Sequence, residues 1–318
     1  MATGRSGDRT WLVAIAASLW GVSSLWRGPL AREYASLTIV FWEHLVLTVF
    51  TLWWLVPAVR RLAVASTRTK LSVLVIGVGS SALATVMFTA AFGLGDPITP
   101  QVLQKLQPLI AIALAAMLLG ERLRRSYLFF VAPALVGAWL LAFKEPLAVT
   151  VSSAQAALLA LGAAALWAAG TVLGRAASAE LRFSDLTALR FALGLVALTV
   201  TAAVTGTPLA VGSDAAVDIV LLALFPGLLA LALYYRGLGR TPASRATLAE
   251  LTFPLTAVVV GVAALGARPT PSQWVGFVIV LVCVVSLALH EQRSERPAVA
   301  VPDDAREALG AGVGARRT

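Results

Sequence analysis

Apolar stretches of about twenty residues recur from one end of the chain to the other, separated by short polar or Gly/Pro-bearing breaks. Each is long enough to cross a hydrocarbon core of about 30 Å at a helical rise of about 1.5 Å per residue. The pattern predicts an all-α integral membrane protein with ten transmembrane helices. The spans are expected to begin near Trp11, Leu37, Leu71, Pro100, Ser126, Ser153, Asp185, Ala215, Ala246 and Gln273. Connections such as Gly95-Asp96-Pro97 and Gly206-Thr207-Pro208 carry turn chemistry. Residues 1–10 precede the first span; its apolar run exceeds the length of a signal-peptide core, so the segment is expected to be retained. After His290 the apolar periodicity ends, and residues 291–318 are expected to form a disordered cytoplasmic tail.

Composition agrees with this pattern. Of 318 residues, 59% are hydrophobic and 13% charged, against about a quarter charged in soluble domains. The net charge of +9 does not point to nucleic acid, because the basic residues lie between spans instead of along one face. Arg60, Arg61, Arg68, Lys70, Arg122, Arg124, Arg125, Arg175, Arg182, Arg236, Arg240 and Arg245 fall after even-numbered spans, on the side of both termini. The other side carries only Arg27, Arg32, Lys144 and Arg268. The positive-inside rule then predicts a multi-pass protein of the cell (inner) membrane with cytoplasmic N- and C-termini.

The two halves match at three anchors. Ala17-Ser18-Leu19-Trp20 corresponds to Ala164-Ala165-Leu166-Trp167, Gly93-Leu94-Gly95 to Gly237-Leu238-Gly239, and Pro108 with Leu119-Gly120 to Pro254 with Leu265-Gly266. Five spans per half is an odd number, so the second half enters the membrane from the opposite side and the repeats are inverted. Such halves place a site at their interface that each side can expose in turn.

Leu106-Gln107-Pro108, leading through Leu118-Leu119-Gly120-Glu121-Arg122-Leu123, resembles the apolar helix ending in Leu-Gly-Glu of the EamA family in the drug/metabolite transporter superfamily. The resemblance implies one five-helix unit over residues 11–145 and a second over 146–290. The second copy departs from it, with Ala267 where the acid is usual; Glu43 stands where an Arg is common, and Arg190 fills that place in the second copy. The resemblance implies a secondary transporter of small metabolites, amino acids or drug-like solutes, commonly an exporter, working by alternating access without a cofactor.

Four ionisable residues inside the spans carry most of the chemistry: Glu43 in span 2, Lys105 in span 4, Arg190 in span 7 and Glu250 in span 9. A lone charge at mid-membrane costs at least about 2.5–3.5 kcal/mol, so each should face a partner or a wet cavity. Counting the rise from the span ends puts Glu43 and Lys105 about 8 Å deep in one layer. Arg190 and Glu250 fall in another, about 15 Å away in a 30 Å core. The expected pairs are therefore Glu43 with Lys105 and Arg190 with Glu250. They either flank a solute path or fasten helices together. Gln101, Gln104, Lys105 and Pro108 share a helix face at i, i+3, i+4, i+7, and Thr247, Glu250 and Pro254 repeat it; the prolines are expected helix breaks. Trp20, Ser23, Ser24 and Arg27 share a face of span 1 that lines an outer cavity or, for Arg27 in particular, anchors the interface. Glu43, His44 and Glu250 are candidates for proton coupling.

Other chemistry is not encoded. There is no Gly-rich phosphate loop ending in Lys-Ser or Lys-Thr. The two histidines and the single Cys283 form no metal cluster, and no nucleophile-base-acid set stands out. The expected partners are a small-molecule solute, the lipid bilayer and protons as a candidate coupling ion, with no nucleic acid, metal or cofactor. A membrane enzyme acting on lipid-linked substrates, or a non-transporting sensor or assembly subunit, are the alternatives.

Overall fold

The computed structural model describes residues 9–119, 128–238, 241 and 249–295. Its ten spans are helical, as the apolar runs require. α1 occupies residues 10–33 in two pieces, Thr10–Val22 and Ser24–Glu33. α2 is Ser36–Val64, and α3 is Thr67–Leu94. α4 is assembled from Thr99–Leu103, Gln104–Leu106 and Gln107–Leu119. α5 is Leu128–Ala142, α6 Val151–Ala177 and α7 Phe183–Thr205. α8 is Ser213–Gly237, α9 has Thr252–Ala263 as its main piece, and α10 is Pro271–Glu295. α3 starts at Thr67, not near Leu71, because Ser66 caps it by accepting from the Thr69 amide. α10 continues past His290 to Glu295, so the polar segment enters as helix where a disordered tail was expected. The tail beyond it, like Thr247 and the Gly120-Glu121-Arg122 motif, lies outside the described residues.

Packing follows the exchange that inverted halves demand. α2 lies along α7, its own counterpart, and α5 lies along α10. α1 packs on α8 and α9, while the equivalent α6 packs on α3 and α4. Small residues permit these approaches. A methyl group on Gly276 of α10 would fall 2.6 Å from the Gly137 carbonyl oxygen of α5, so the two backbones touch at a Gly-Gly crossing. Gly162 and Gly170 of α6 similarly accommodate Met87 and Ser80 of α3, whereas Gly174 has nothing near it. Large apolar side chains such as Trp53, Val204 and Val278 stay exposed on the outside of the bundle, where lipid would cover them.

The spans around the centre are interrupted. Proline lacks an N–H, so Pro108 frees the Gln104 carbonyl and Pro254 frees that of Glu250. Each carbonyl takes a three-residue bond instead: Gln107 N–H donates to Gln104 O, and Phe253 N–H donates to Glu250 O at 3.2 Å. The helix is thus broken within one turn of Lys105 in α4 and at Glu250 in α9. α3 and α8, also counterparts, each contain a π-helical segment, Ile76–Leu83 and Ala223–Leu229. Such segments leave backbone groups off the regular ladder and cluster at functional sites. The first contains Gly77, Gly79, Ser80 and Ser81; the second contains Pro226 and Gly227.

Candidate functional site

The interruptions surround a cavity of about 820 Å³ between the two halves. Its lining runs from Arg27 and Glu43 in α1 and α2 to Tyr234 and Tyr235 in α8 and Leu287 in α10. Ten alternating spans put both termini at one end of the bundle. The last turn of α8 and the second halves of α4, α6 and α10 lie towards that end, so the cavity extends towards the termini.

At its other end the cavity is closed by a buried cluster. Arg27 Nη2 donates to Glu43 Oε1 at 2.9 Å and Oε2 at 3.0 Å, and Nη1 donates to Thr89 Oγ1 of α3 at 2.6 Å. Arg27 is 5% and Glu43 6% exposed. Both carboxylate oxygens are engaged by the single nitrogen Nη2, while the buried Arg27 Nε has no partner among the described residues; the charge-assisted bonds offset part of the desolvation of the two charges. Around it, Thr38 donates to the Pro208 carbonyl at 2.8 Å and Trp42 to that of Leu209 at 2.7 Å. The Gly212 amide donates to the Tyr34 hydroxyl at 3.2 Å. These bonds tie the α1–α2 hairpin to the loop between α7 and α8.

Two of the expected pairings are therefore corrected. Glu43 pairs with Arg27 and not with Lys105, and Arg27 is no interfacial anchor. Among the described residues Arg190 pairs with no carboxylate, and Glu250 instead accepts from the Tyr234 hydroxyl at 2.6 Å. Lys105 lies over the Phe253 ring, 4.4 Å from its centroid, in electrostatic reach of Glu250. The layer argument failed because it counted rise from the helix ends as if the helices were continuous and began at the surface. α4 begins with Thr99–Leu103, all buried in protein, and both α4 and α9 break at the charge.

A polar chain crosses the cavity wall. Arg190 Nε donates to Ser81 Oγ at a long 3.5 Å, and that hydroxyl lies 2.9 Å from His44 Nε2. His44 Nδ1 is 2.9 Å from the Val40 carbonyl oxygen, which can only accept. The neutral Nδ1–H tautomer satisfies His44 and Ser81: His44 donates to Val40 O, Ser81 donates to Nε2, and Arg190 Nε donates to Ser81.

Trp20, Gln104, Pro108 and Pro254 also line the cavity. Gln101 does not: it is fully buried, donating to the Pro97 carbonyl at 3.3 Å. Residues that the sequence reading did not single out for the site include Ser81, Phe253, Tyr234 and Tyr235. Trp167 was visible as the repeat partner of Trp20, and both face the cavity; Trp20 packs on Tyr234 at 5.1 Å and Trp167 on Phe88 at 5.0 Å between ring centroids. Among the described residues no group of His, Cys, Asp and Glu is arranged to hold a metal ion.

Comparison with known proteins agrees with this architecture. The chain is 32% identical over 192 residues to the riboflavin transporter ImpX of Fusobacterium nucleatum, covering 58% of this chain and 64% of that protein. It is 30% identical over 202 residues to the uncharacterized transporter YwfM of Bacillus subtilis, covering 60% and 64%. Each match thus spans just under two thirds of the relative's length. A solved crystal structure of a protein superposes with a TM-score of 0.58 at 19% identity, covering 90% of this chain and 98% of its own, which bears on the fold alone. The family profile described as EamA-like transporter family matches residues 10–143 and again 154–289, one copy per inverted half. On that double match, the chain belongs to the EamA-like transporter family.

Proposed function

We propose that this protein is a secondary transporter that carries a small solute through the cavity between its two inverted halves by alternating access. The carrying observation is the placement of that cavity. It lies at the repeat interface, is lined by Glu43, Lys105, Arg190 and Glu250, and is sealed at one end by Arg27, Glu43 and Thr89. A volume of about 820 Å³ lies within the range of small-molecule sites, about 300–1,000 Å³. In this reading the cluster is the closed gate of one state; the opposite state parts Arg27 from Glu43 and closes the end nearer the termini.

Glu250 is the candidate coupling acid. It sits at the break in α9 with one hydroxyl donor and one nearby cation, so protonation would release both. Glu43, held by two bonds to one guanidinium, acts as gate and not as coupling group. His44, neutral in its hydrogen-bonded chain, positions Ser81. The resemblance to exporters supports outward transport. Arg60, Arg61, Arg68, Lys70, Arg175 and Arg182 at the terminal end of the bundle, against Arg32, Lys144 and Arg268 at the other, support cytoplasmic termini in the cell membrane. One relative is named a riboflavin transporter, and ring-bearing solutes suit the aromatic lining. No enzymatic step is assigned to the chain.

Counterflow in reconstituted vesicles tests this. Vesicles loaded with members of a metabolite panel that includes riboflavin should accumulate at least one labelled member, and Glu250→Gln should abolish exchange while melting like the parent. No accumulation above protein-free vesicles across the panel would overturn the transport reading.

A further inference from the structure

The described lining of the cavity has a charge imbalance. Among the described residues three cations line it, Arg27, Lys105 and Arg190, against two carboxylates, Glu43 and Glu250. Arg27 is spent on Glu43, and Lys105, seated over the Phe253 ring, makes no ion pair among the described residues but has Glu250 in electrostatic reach to balance its charge. His44 adds no charge in the tautomer its partners satisfy. Arg190 is left over. Its Nε makes the single long bond to Ser81, its guanidinium carbon lies 5.5 Å from the Phe191 ring centroid, and its two Nη groups make no hydrogen bond among the described residues. A charge inside a membrane helix is costly without a partner. A guanidinium with a free two-nitrogen edge is the side chain best shaped to take a planar or tetrahedral anion through two parallel bonds.

The cavity is rich in aromatic surface. Trp20, Trp167, Phe191, Tyr234, Tyr235 and Phe253 line it, and of these Phe191 and Tyr235 lie in reach of Arg190. Flat apolar rings with one unspent cation define a complementary ligand. Resting on the transport reading above, we propose that the cavity takes an aromatic or heteroaromatic anion, its carboxylate or phosphate held by Arg190 and its ring stacked against the cavity aromatics. Arg190 sets the charge selectivity of the site, and the aromatic pairs set its preference for rings.

Matched aromatic probes test the charge of the ligand separately from transport. Binding of indole-3-acetate, indole-3-acetamide and phenyl phosphate is measured on the full chain in nanodiscs of purely zwitterionic lipid, by tryptophan quenching and thermal shift. At least one of the two anions should bind about tenfold or more tighter than the amide, a ratio in the range of one charge-assisted contact. Arg190→Gln should erase that ratio and Arg190→Lys should keep part of it. The acid-to-amide comparison on the parent protein stands even if a variant fails to fold. Neither anion binding more tightly than the amide, or an unchanged ratio in Arg190→Gln, would overturn the proposal. The same titration with an anionic lipid added to the disc distinguishes a soluble solute from a lipid headgroup: unchanged affinity supports the solute, and loss of anion binding by competition overturns it. Anion-selective binding without counterflow would sink the transport reading and leave this assignment standing.

Discussion

The two ends of the bundle each carry one ion pair between described residues, and the pairs differ in kind. At the end away from the termini, Arg27 and Glu43 have side chains 6% and 8% exposed, with both carboxylate oxygens engaged. At the terminal end, Arg61 reaches Asp185 at 2.6 Å with side chains 38% and 1% exposed. Asp185 also accepts from the Arg182 amide at 3.0 Å, capping α7. Glu180 nearby accepts from Ser66 and Thr69 at the start of α3. The first pair sits in the cavity and joins two helices of one repeat; the second sits at the rim and joins the repeats along the α2–α7 seam. On the transport reading proposed above, the cavity pair is placed to act as a closure that parts, whereas the rim pair fastens packed helices.

Breaking the cavity pair should have the largest effect. Glu43→Gln leaves Arg27 buried beside a neutral amide, and removing one partner of a buried pair costs about 3–5 kcal/mol. A clear drop in the detergent melting temperature is expected, together with loss of counterflow. A variant as stable as the parent would show that the pair is not held out of water. Thr89→Val probes the same cluster more gently. It removes the 2.6 Å acceptor of Arg27 Nη1 at nearly constant shape, for an expected loss of about 1.5–3 kcal/mol as a hydrogen bond to a charged group. A double-mutant cycle with Glu43→Gln should be non-additive, because both changes act on one guanidinium.

Most of the spans could be read from the sequence, because an apolar run of membrane length has few alternatives, and the breaks at Pro108 and Pro254 follow from the missing proline N–H. The π-helical segments could not be placed, since Gly77-Val78-Gly79-Ser80-Ser81 announces weakness in a helix without saying how the ladder reconnects. The ionisable residues of the cavity were visible as charges inside apolar runs; their partners were not. One signal was overlooked. Arg27 and Glu43 each lie eight residues from Ala35, and in an antiparallel hairpin equal distances from the turn mean equal depth. Depth measured from a shared turn survives helix breaks nearby, whereas depth measured from separate helix ends does not.

The rim pair should respond less. Arg61 is itself 38% exposed, and Arg61→Ala leaves the buried Asp185 its backbone donor, so the expected cost is about 1–2 kcal/mol, above that of an exposed ion pair and below that of the cavity pair. Counterflow should persist. If Arg61→Ala matched Glu43→Gln in stability loss, the contrast between the two ends would fail.

The smallest effect should come from Glu180, and pH is the way to see it. Its carboxylate accepts from the Ser66 hydroxyl at 2.6 Å, the Thr69 hydroxyl at 2.7 Å and the Ser66 amide at 2.8 Å. Those hydrogen bonds, the Ser66 hydroxyl foremost, hold the acid down at about 2 against an ordinary 4.5. A folded-state value below the unfolded one means that the unfolded chain binds the proton first. The stabilisation is therefore complete above about 4.5, declines below it, and is gone once the pH has fallen through about 2. Because the group is exposed, solvent screening keeps the contribution small. The measurement is the difference in melting temperature between the parent and Glu180→Ala across that window. It should be modest and constant above pH 5 and shrink towards zero as acid is added. A difference independent of pH would mean that Glu180 acts by packing at the start of α3 and not through its charge.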